Sequence, residues 1–278
     1  MADKLQTKPP ATPTYILSYP APYVVLITIN RPKAMNSLPY ASHWEAGALF
    51  DWFDEEPSLR VAIITGAGEK AFCAGQDLIE QGEIKRKPLP RQMMTHPLGG
   101  FMAVSRRTGK KPVIAAVNGY ALGGGFEICL GCDMIVASPR ARFGLPEASR
   151  GLYAGAGGLS RLVRQCGMVL ASEIAMAGRQ LSAQEAEKYL IINKISKTHE
   201  SLIDEAVQMA SQIANLSPDA IVVTRHGLRQ AWETGSVERA SQLTADAYAA
   251  KLAKAENTLI GLTAFAQKKQ PQWVPSKL

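Results

Sequence analysis

Two glutamates near the middle of the chain, Glu127 and Glu147, have residue types and surroundings suited to acid–base chemistry. Glu127 follows three glycines and stands among apolar residues, where a charged side chain is costly to bury unless it has partners or a function. Glu147 follows a proline 20 residues later, and taken alone it would be an ordinary surface acid. Adding water across a C=C bond needs one group that accepts a proton from water and another that donates a proton to carbon. Two carboxyl groups around a small cavity could do both.

Two glycine-containing turns could provide the second part of this chemistry. One covers residues 71–78 and the other residues 123–127, and each follows an apolar stretch. Glycine lets a ligand approach the backbone, and the start of a helix leaves N–H donors unpaired in a field that favours negative charge. Two such donors on one carbonyl oxygen would stabilise the enolate formed when a proton is lost beside a thioester. Glycine turns are common, so neither turn alone establishes an oxyanion hole.

Short apolar strands alternating with helices must position these residues. We predict strands over 23–30, 61–65, 113–117, 134–137 and 141–143. A helix is predicted from Pro39 to about Phe53, and a buried helix over 125–131. This alternation indicates a layered α/β domain.

The C-terminal third is predicted to be mainly helical. Helical spacing covers residues 183–189, 202–214 and 237–255, with a short strand over 191–195. A helical region attached to an α/β core could serve as an oligomerisation layer.

Composition narrows the class of protein without deciding the function. A chain of 278 residues with 46% hydrophobic and 20% charged residues can enclose a substantial core. Its apolar stretches are far shorter than the roughly 20 residues of a membrane-spanning helix. Residues 1–13 are expected to form a loose tail without export or mitochondrial signals. The net charge of +7 would suit an anionic ligand, nucleic acid or simple solubility.

The four cysteines are expected to be reduced thiols. Cys129 and Cys132 form a lone C-x-x-C. A zinc site would require further ligands, and a redox site would require the pair at the start of a helix that follows a strand. We therefore favour packing roles and predict no metal site.

Residues 80–111 contain many Lys, Arg and Pro residues and are interpreted as a mobile basic segment. A solvated surface loop and a phosphate-facing lid are both open interpretations. RNA binding through this segment is disfavoured, because no aromatic stacking residues or recognisable module accompany the charge.

The chain stops at Ser276, Lys277 and Leu278, the tripeptide that the peroxisomal import receptor binds. Its position at the terminus predicts a peroxisomal protein.

Residues 111–127 (KPVIAAVNGYALGGGFE) resemble the central motif of the crotonase, or enoyl-CoA hydratase/isomerase, superfamily. Residues 30–36, 72–78, 143–147 and 155–158 are also similar, in the family's order. The resemblance implies a spiral of ββα units over residues 14–200, a helical trimerisation region over 201–275, and trimers paired into hexamers. It also implies acyl-CoA substrates, with coenzyme A as part of the substrate and no metal or redox cofactor.

The resemblance assigns roles to individual residues. Gln76 and Gly124 would hold the thioester oxygen through their backbone N–H groups. Glu127 would activate water, and Glu147 would exchange a proton with the carbon next to the thioester. The resemblance further implies coenzyme A contacts at Lys33, Ala34, Ala74, Asp77 and Leu78, and at Lys268 or Lys269 from a neighbouring subunit.

Departures from the family pattern suggest a specialised acyl pocket. Gln76 replaces the common small residue, and Tyr153 and Ala154 stand where relatives often have other residues. A methionine-containing stretch around Met93 and Met94 could adapt to a branched or polar acyl group, although filling a gap in the core is the more usual role of methionine.

The implied activity is reversible hydration of a 2-enoyl-CoA, or dehydration of a 3-hydroxyacyl-CoA. Fatty-acid oxidation and mevalonyl-CoA dehydration for fungal siderophores are both compatible pathways. Two alternatives stay open: Δ3,Δ2-enoyl-CoA isomerisation, which one carboxylate can perform, and a non-catalytic RNA-binding protein.

Overall fold

A computed structural model describes residues 5–87, 90 and 94–278 of the chain. Its strands are β1 (Tyr15–Ala21), β2 (Val24–Ile29), β3 (Val61–Gly66), β4 (Ala71–Cys73), β5 (Val113–Val117), β6 (Tyr120–Leu122), β7 (Met134–Ala137), β8 (Arg142–Gly144), β9 (Leu181–Ser182) and β10 (Lys194–Ile195). Its helices are α1 (Tyr40–Glu55), α2 (Leu78–Arg86), α3 (Gly124–Gly131), α4 (Gly158–Met176), α5 (Ala183–Lys188), α6 (Leu202–Ala214), α7 (Pro218–Glu233), α8 (Val237–Ala253) and α9 (Glu256–Ala266). Short 3-10 helices cover Pro32–Ala34, Phe101–Ala103 and Glu147–Arg150.

The strands form two sheets that the chain visits in turn. One sheet has the order β1-β2-β3-β5-β7-β10, and the smaller one has the order β4-β6-β8-β9. Along the chain, β3 and β4 precede α2, β5 and β6 precede α3, and β7 and β8 precede α4. Corresponding strands of successive units pair in parallel, as β3 does with β5 and β4 with β6. The result is a spiral of ββα units, which confirms the predicted fold class.

Both faces of the larger sheet are buried, which explains why its strands are continuous apolar runs. On β3, Ala62 and Ile64 face the core shared with the smaller sheet, whereas Val61 and Ile63 pack under α6. Helix α6 covers this outer face with residues spaced by four: Leu202, Ala206, Ala210 and Ala214. The first helix of the C-terminal helical region therefore completes the chain's own core.

Several predicted elements are confirmed within a residue or two, and others were missed. Strands β5 and β7 and helix α6 have the predicted bounds. The strand predicted over 191–195 is wrong in extent, because β10 covers only its last two residues. The sequence analysis did not identify β1, α4, α7 or α9. Helix α4 was obscured by Gly167, whose φ of 80° is not helical and interrupts the periodicity.

The interpretation of residues 80–111 as one mobile basic segment is wrong at both ends, since residues 80–86 belong to α2 and the C-terminal part is attached to α1. Arg107 is only 6% exposed and forms an ion pair with Asp54. The Lys111 ammonium donates to the backbone carbonyls of Phe53 (2.7 Å) and Glu56 (2.6 Å). These two cations therefore anchor the segment to the end of α1 and are not available to an RNA backbone. Met93 lies outside the described residues.

The described part of the N-terminal segment contacts the end of α1. The Glu56 carboxylate accepts hydrogen bonds from the backbone N–H groups of Gln6 (3.0 Å) and Thr7 (2.8 Å) and from both the backbone and the hydroxyl of Ser58. These bonds hold the pKa of Glu56 at about 2 although burial opposes them. Residues 6 and 7 are thus attached to the domain.

All four cysteines are free thiols, and Cys73, Cys129 and Cys132 are buried. Among the described residues, no group of three or more His, Cys, Asp or Glu side chains could hold a metal ion. In the same part of the chain, no helix has the length and apolar character needed to cross a bilayer.

A buried ion-pair cluster joins α7 to the end of α3. Asp133 accepts from Arg225 Nε at 2.9 Å and from Arg229 Nη2 at 2.7 Å, and its carboxylate also accepts from the Val113 N–H at 2.9 Å. The Arg225 side chain is only 7% exposed. Removal of the carboxylate would leave this guanidinium buried without its counter-charge.

We expect Asp133→Ala to lower the free energy of unfolding by about 3–5 kcal/mol, because one partner of a buried pair is lost. Urea unfolding at a fixed protein concentration would measure it. Glu69→Ala is the matched control: Glu69 is 81% exposed and lies 3.9 Å from Arg140, so its removal should cost less than about 1 kcal/mol. Equal losses in the two variants would contradict the assignment of the cluster as a stabilising element.

The helices after α6 leave large apolar side chains exposed. On α9 these are Leu259, Leu262 and Phe265, with Phe265 86% exposed. The C-terminal tripeptide packs near the start of α7, where the Ser276 hydroxyl donates to Asp219. Leu278 is half-buried there.

Candidate active site

A cavity of about 510 Å³ lies between the carboxyl ends of β4 and β6 and the loop before α4. Both predicted glutamates and both predicted oxyanion-hole residues line it. The full lining comprises Tyr40, Ala74, Gly75, Gln76, Leu78, Gln81, His96, Phe101, Leu122, Gly123, Gly124, Glu127, Pro146, Glu147, Arg150, Leu152, Tyr153, Gly155 and Ala156. Among the four predicted residues, the cavity brings together Gln76 and Glu147, which are 71 positions apart in the chain.

The two glycine-containing turns lie against each other at the cavity wall. A Cβ on Gly75, whose φ is 93°, would be 3.1 Å from the backbone nitrogen of Gly124. Gly124 is the first residue of α3, so its N–H has no acceptor within the helix. In the described part of the chain, neither this N–H nor that of Gln76 has a hydrogen-bond acceptor. Two free backbone donors therefore lie beside the cavity.

Glu127 is held in place by the start of the next helix. It lies on the first turn of α3, is 3% exposed, and its Oε1 accepts from the Gly158 N–H at 2.8 Å. Burial raises the pKa of Glu127, while the backbone N–H groups of Gly158 and Ala156 and the charge of Arg161 oppose that rise. The donors at the start of α4 favour the ionised form and fix its orientation.

Glu147 is the first residue of the 3-10 helix that follows β8. A Cβ on Gly123 would lie 3.1 Å from Glu147 Oε1, so the carboxyl group lies directly beside the turn that carries Gly124. Its other oxygen, Oε2, is buried and has no partner among the described residues. Burial, reinforced by the negative charge of Glu127, raises the pKa of Glu147 to about 7.

The two carboxyl groups interact electrostatically, so both cannot easily be ionised at once near neutral pH. Backbone donors favour the ionised form of Glu127, although burial raises its pKa, whereas burial and the charge of Glu127 raise the pKa of Glu147 to about 7. A carboxyl group whose pKa is near the working pH can both give and take a proton efficiently. Beside two free N–H donors, this arrangement can form an enolate and protonate it again.

An aromatic cluster that the sequence analysis missed forms one wall of the cavity. The ring of His96 stacks on Tyr40 at 5.8 Å and meets His43 edge-on at 4.5 Å. The Phe101 ring lies 4.4 Å from His43 and covers Gly124, since a Cβ there would be 2.6 Å from a Phe101 ring atom. Tyr40 and His43 are three positions apart on α1, and this spacing was the available signal.

The residues predicted to contact coenzyme A lie in different parts of the structure. Ala74 and Leu78 line the cavity, and Ala74 is tied through its N–H to Met35, next to Ala34. Lys33 is exposed outside the cavity lining.

Asp77 has a structural role in the chain. It accepts from the N–H groups of Ile79 (3.1 Å) and Glu80 (3.3 Å) at the start of α2, and from Arg31 at 3.0 Å. Lys268 and Lys269 are exposed at the end of α9 and do not line this cavity.

Comparison with known proteins shows which family the chain resembles. The family model described as enoyl-CoA hydratase/isomerase matches residues 22–276. The mevalonyl-coenzyme A hydratase sidH of Aspergillus fumigatus is 46% identical over 263 residues, which cover 95% of this chain and 96% of the relative. Carnitinyl-CoA dehydratase of Proteus mirabilis is 40% identical, covering 90% of this chain and 94% of the relative.

Solved structures give the same result. The crystal structure of an enoyl-CoA hydratase from Bacillus anthracis matches with a TM-score of 0.83 and 33% identity, covering 95% of this chain and all of that one. The family model spans most of the chain. The relatives are named as a hydratase and a dehydratase, and this chain matches them over nearly their whole length. The chain belongs to the enoyl-CoA hydratase/isomerase family, in which it is a hydro-lyase acting on an acyl-CoA.

Proposed function

We propose that the chain interconverts mevalonyl-CoA and the corresponding 2-enoyl-CoA by loss or addition of water, in the supply of acyl groups for siderophores. The observation that carries the chemistry is the meeting of two glutamates and two free backbone N–H groups in one cavity. Relatives named for mevalonyl-coenzyme A are 46% and 43% identical over most of the chain. The polar groups of Tyr40, Gln76 and His96 in the cavity lining also favour a hydroxylated acyl group over a plain alkyl chain.

The thioester oxygen is held by the N–H groups of Gln76 and Gly124. Loss of the proton from the adjacent carbon moves an electron pair onto this oxygen, where the two N–H groups and the start of α3 stabilise the negative charge. The thioester already acidifies the carbon, and the backbone supplies the rest of the stabilisation. We therefore propose that the reaction uses no metal or redox cofactor.

The two glutamates divide the proton transfers. In dehydration, Glu147 takes the proton from the carbon, and Glu127 donates a proton to the departing hydroxyl. In hydration, Glu127 takes a proton from water and Glu147 returns one to carbon. Either direction begins with one proton on the pair.

This single proton predicts a pH dependence. We expect kcat/KM to fall about tenfold per pH unit above an apparent pKa of about 7, because loss of the proton held by Glu147 leaves both carboxylates charged. It also falls at low pH, when both are protonated. Since the overall reaction neither takes up nor releases a proton, hydration and dehydration should show the same profile. Initial rates in both directions across the pH range would measure this, and constant kcat/KM from pH 7 to pH 9 would contradict it.

A mass-resolved assay tests the proposed reaction and its alternatives. Purified protein is incubated separately with mevalonyl-CoA, crotonyl-CoA and a 3-enoyl-CoA. Loss of 18 mass units from mevalonyl-CoA, at a kcat/KM above that for crotonyl-CoA hydration, is the expected result. Preferential hydration of crotonyl-CoA would overturn the substrate assignment, and double-bond migration without change of mass would indicate an isomerase.

Residues outside the cavity are proposed to bind the nucleotide part of coenzyme A. Lys33 from the same chain, and Lys268 or Lys269 from a neighbouring subunit, are suited to its phosphates because all three are exposed cations. The exposed apolar residues of α9 support a trimer or a hexamer built through the C-terminal helices. Sedimentation of wild type and Phe265→Asp would test this assembly, with subunit dissociation expected in the variant.

We also propose import into the peroxisome through Ser276, Lys277 and Leu278. Because Ser276 donates to Asp219 and Leu278 is half-buried, the receptor must first detach this segment from α7. A fluorescent protein fused to the N-terminus should accumulate in peroxisomes, and deletion of the tripeptide should leave it outside them.

A further inference from the structure

The side chain of Gln76 is oriented by a fixed hydrogen-bond chain. The Met102 N–H donates to His43 Nδ1 at 3.1 Å, so that nitrogen carries the lone pair. His43 Nε2 lies 3.1 Å from Gln76 Oε1. Burial lowers the pKa of His43 to about 3, so the ring is neutral and its single proton is on Nε2. His43 therefore donates to Gln76 Oε1, which sets the direction of the amide.

The other end of this amide has donors and no acceptor. Gln76 Nε2 is buried and has no hydrogen-bond partner among the described residues. Buried polar groups in folded proteins are almost always paired, so an unpaired NH₂ group on a residue that lines the cavity calls for a ligand or a water molecule. His43 prevents the amide from turning over to hide these donors, because its N–H would then face another donor.

The position of the amide identifies the part of the substrate that it meets. The backbone N–H of Gln76 is proposed to hold the thioester oxygen, and its side-chain amide reaches His43. The His43 ring contacts the cavity-lining rings of His96 and Phe101. Phe101 in turn covers Gly124, the other thioester donor. Gln76 therefore lines the same cavity as both proposed thioester donors and the rings of His96 and Phe101.

We propose that the Gln76 side chain is a specificity-determining group that donates a hydrogen bond to an oxygen of the acyl chain which the reaction retains. In mevalonyl-CoA this oxygen is the C5 hydroxyl, which remains when the C3 hydroxyl leaves. His43 is a positioning residue that acts through Gln76. This inference rests on the proposed function and extends it to the basis of substrate choice.

The test compares two substrates that differ only at that oxygen. These are mevalonyl-CoA and 3-hydroxy-3-methylpentanoyl-CoA, its analogue without the C5 hydroxyl. A site built to bond a hydroxyl discriminates strongly against an analogue that lacks it. We expect wild type to prefer mevalonyl-CoA in kcat/KM, and Gln76→Met to reduce this preference about 10- to 100-fold. Gln208→Met, the same change at an exposed residue of α6, should leave the preference unaltered.

A second variant of Gln76 distinguishes the loss of the NH₂ donors from the loss of side-chain packing. Gln76→Glu keeps an acceptor for His43 but cannot donate, and it should lose the same preference. His43→Leu should reduce the preference in the wild-type background and have no further effect in Gln76→Met, since it acts only through the amide.

Three results would overturn the inference. An equal loss of kcat/KM for both substrates in Gln76→Met and Gln76→Glu would show that the side chain acts on the shared part of the substrate or on folding. An unaltered preference would show that its partner is only an ordered water molecule. Wild type that dehydrates neither substrate while hydrating crotonyl-CoA would instead overturn the proposed function itself, and this inference with it.

Discussion

Glu147→Gln is expected to lower kcat for dehydration about 10²- to 10⁴-fold, the contribution of a positioned general base or acid. Glutamine has nearly the same shape but cannot take the proton from the carbon next to the thioester. The carboxyl group lies beside Gly123 with one oxygen buried and unpaired, so the substitution breaks no bond to that oxygen. The loss should therefore appear in kcat, with little change in the thermal unfolding midpoint.

Isotope exchange isolates the step assigned to Glu147. Butyryl-CoA has no 3-hydroxyl group and cannot lose water, but its proton next to the thioester can still exchange with D₂O through the enolate. Wild type should incorporate deuterium, detected by mass spectrometry, and Glu147→Gln should not. Exchange at the wild-type rate in this variant would show that another group removes the proton. Glu200→Gln, a change at a 72% exposed side chain, is the matched control.

Glu127→Gln is expected to give a similar loss of dehydration, about 10²- to 10⁴-fold, for a different reason. The departing hydroxyl then lacks its proton donor. In the wild type the Gly158 N–H donates to Glu127 Oε1 at 2.8 Å. The Oε1 of the substituted glutamine can still accept this bond, so the fold should be retained. Deuterium exchange into butyryl-CoA should continue, because enolate formation requires Glu147 and the two backbone N–H groups only.

The two variants thus make opposite predictions for exchange and the same prediction for dehydration. Loss of exchange in Glu127→Gln, with retention in Glu147→Gln, would reverse the roles of the two residues. Because the glutamates act in one reaction, the double variant should be little worse than the poorer single variant. Additive losses in the double variant would indicate that they act independently.

Much of the fold was predictable because its strands and helices have strong local signals. Strands such as β5 are unbroken apolar runs, since both faces of their sheet are buried. Strand β1 lies at the edge of the larger sheet, where Ile16 is 51% exposed and Pro20 interrupts the run, so its apolar residues do not alternate with polar ones. Helix α4 is interrupted by Gly167, so its helical periodicity is also broken.

The chemical character of individual site residues could also be predicted from their neighbours in the sequence. A glutamate just after a glycine-rich turn in an apolar stretch indicated Glu127. The turn indicated free backbone N–H groups, which the family resemblance assigned to Gly124. These features depend on neighbours in the chain, so they are visible without the fold.

Only the tertiary structure decided how these groups combine. Local sequence does not place Glu147 beside Gly123, because that contact depends on the parallel pairing of β6 with β8. The value near 7 for the pKa of Glu147 arises from burial and from the charge of Glu127, both properties of the assembled cavity. The direction of the Gln76 amide likewise depends on His43, 33 residues earlier and on another element. The sequence alone determined which groups can do chemistry, whereas long-range packing decided which act together, because proximity and desolvation exist only in the folded chain.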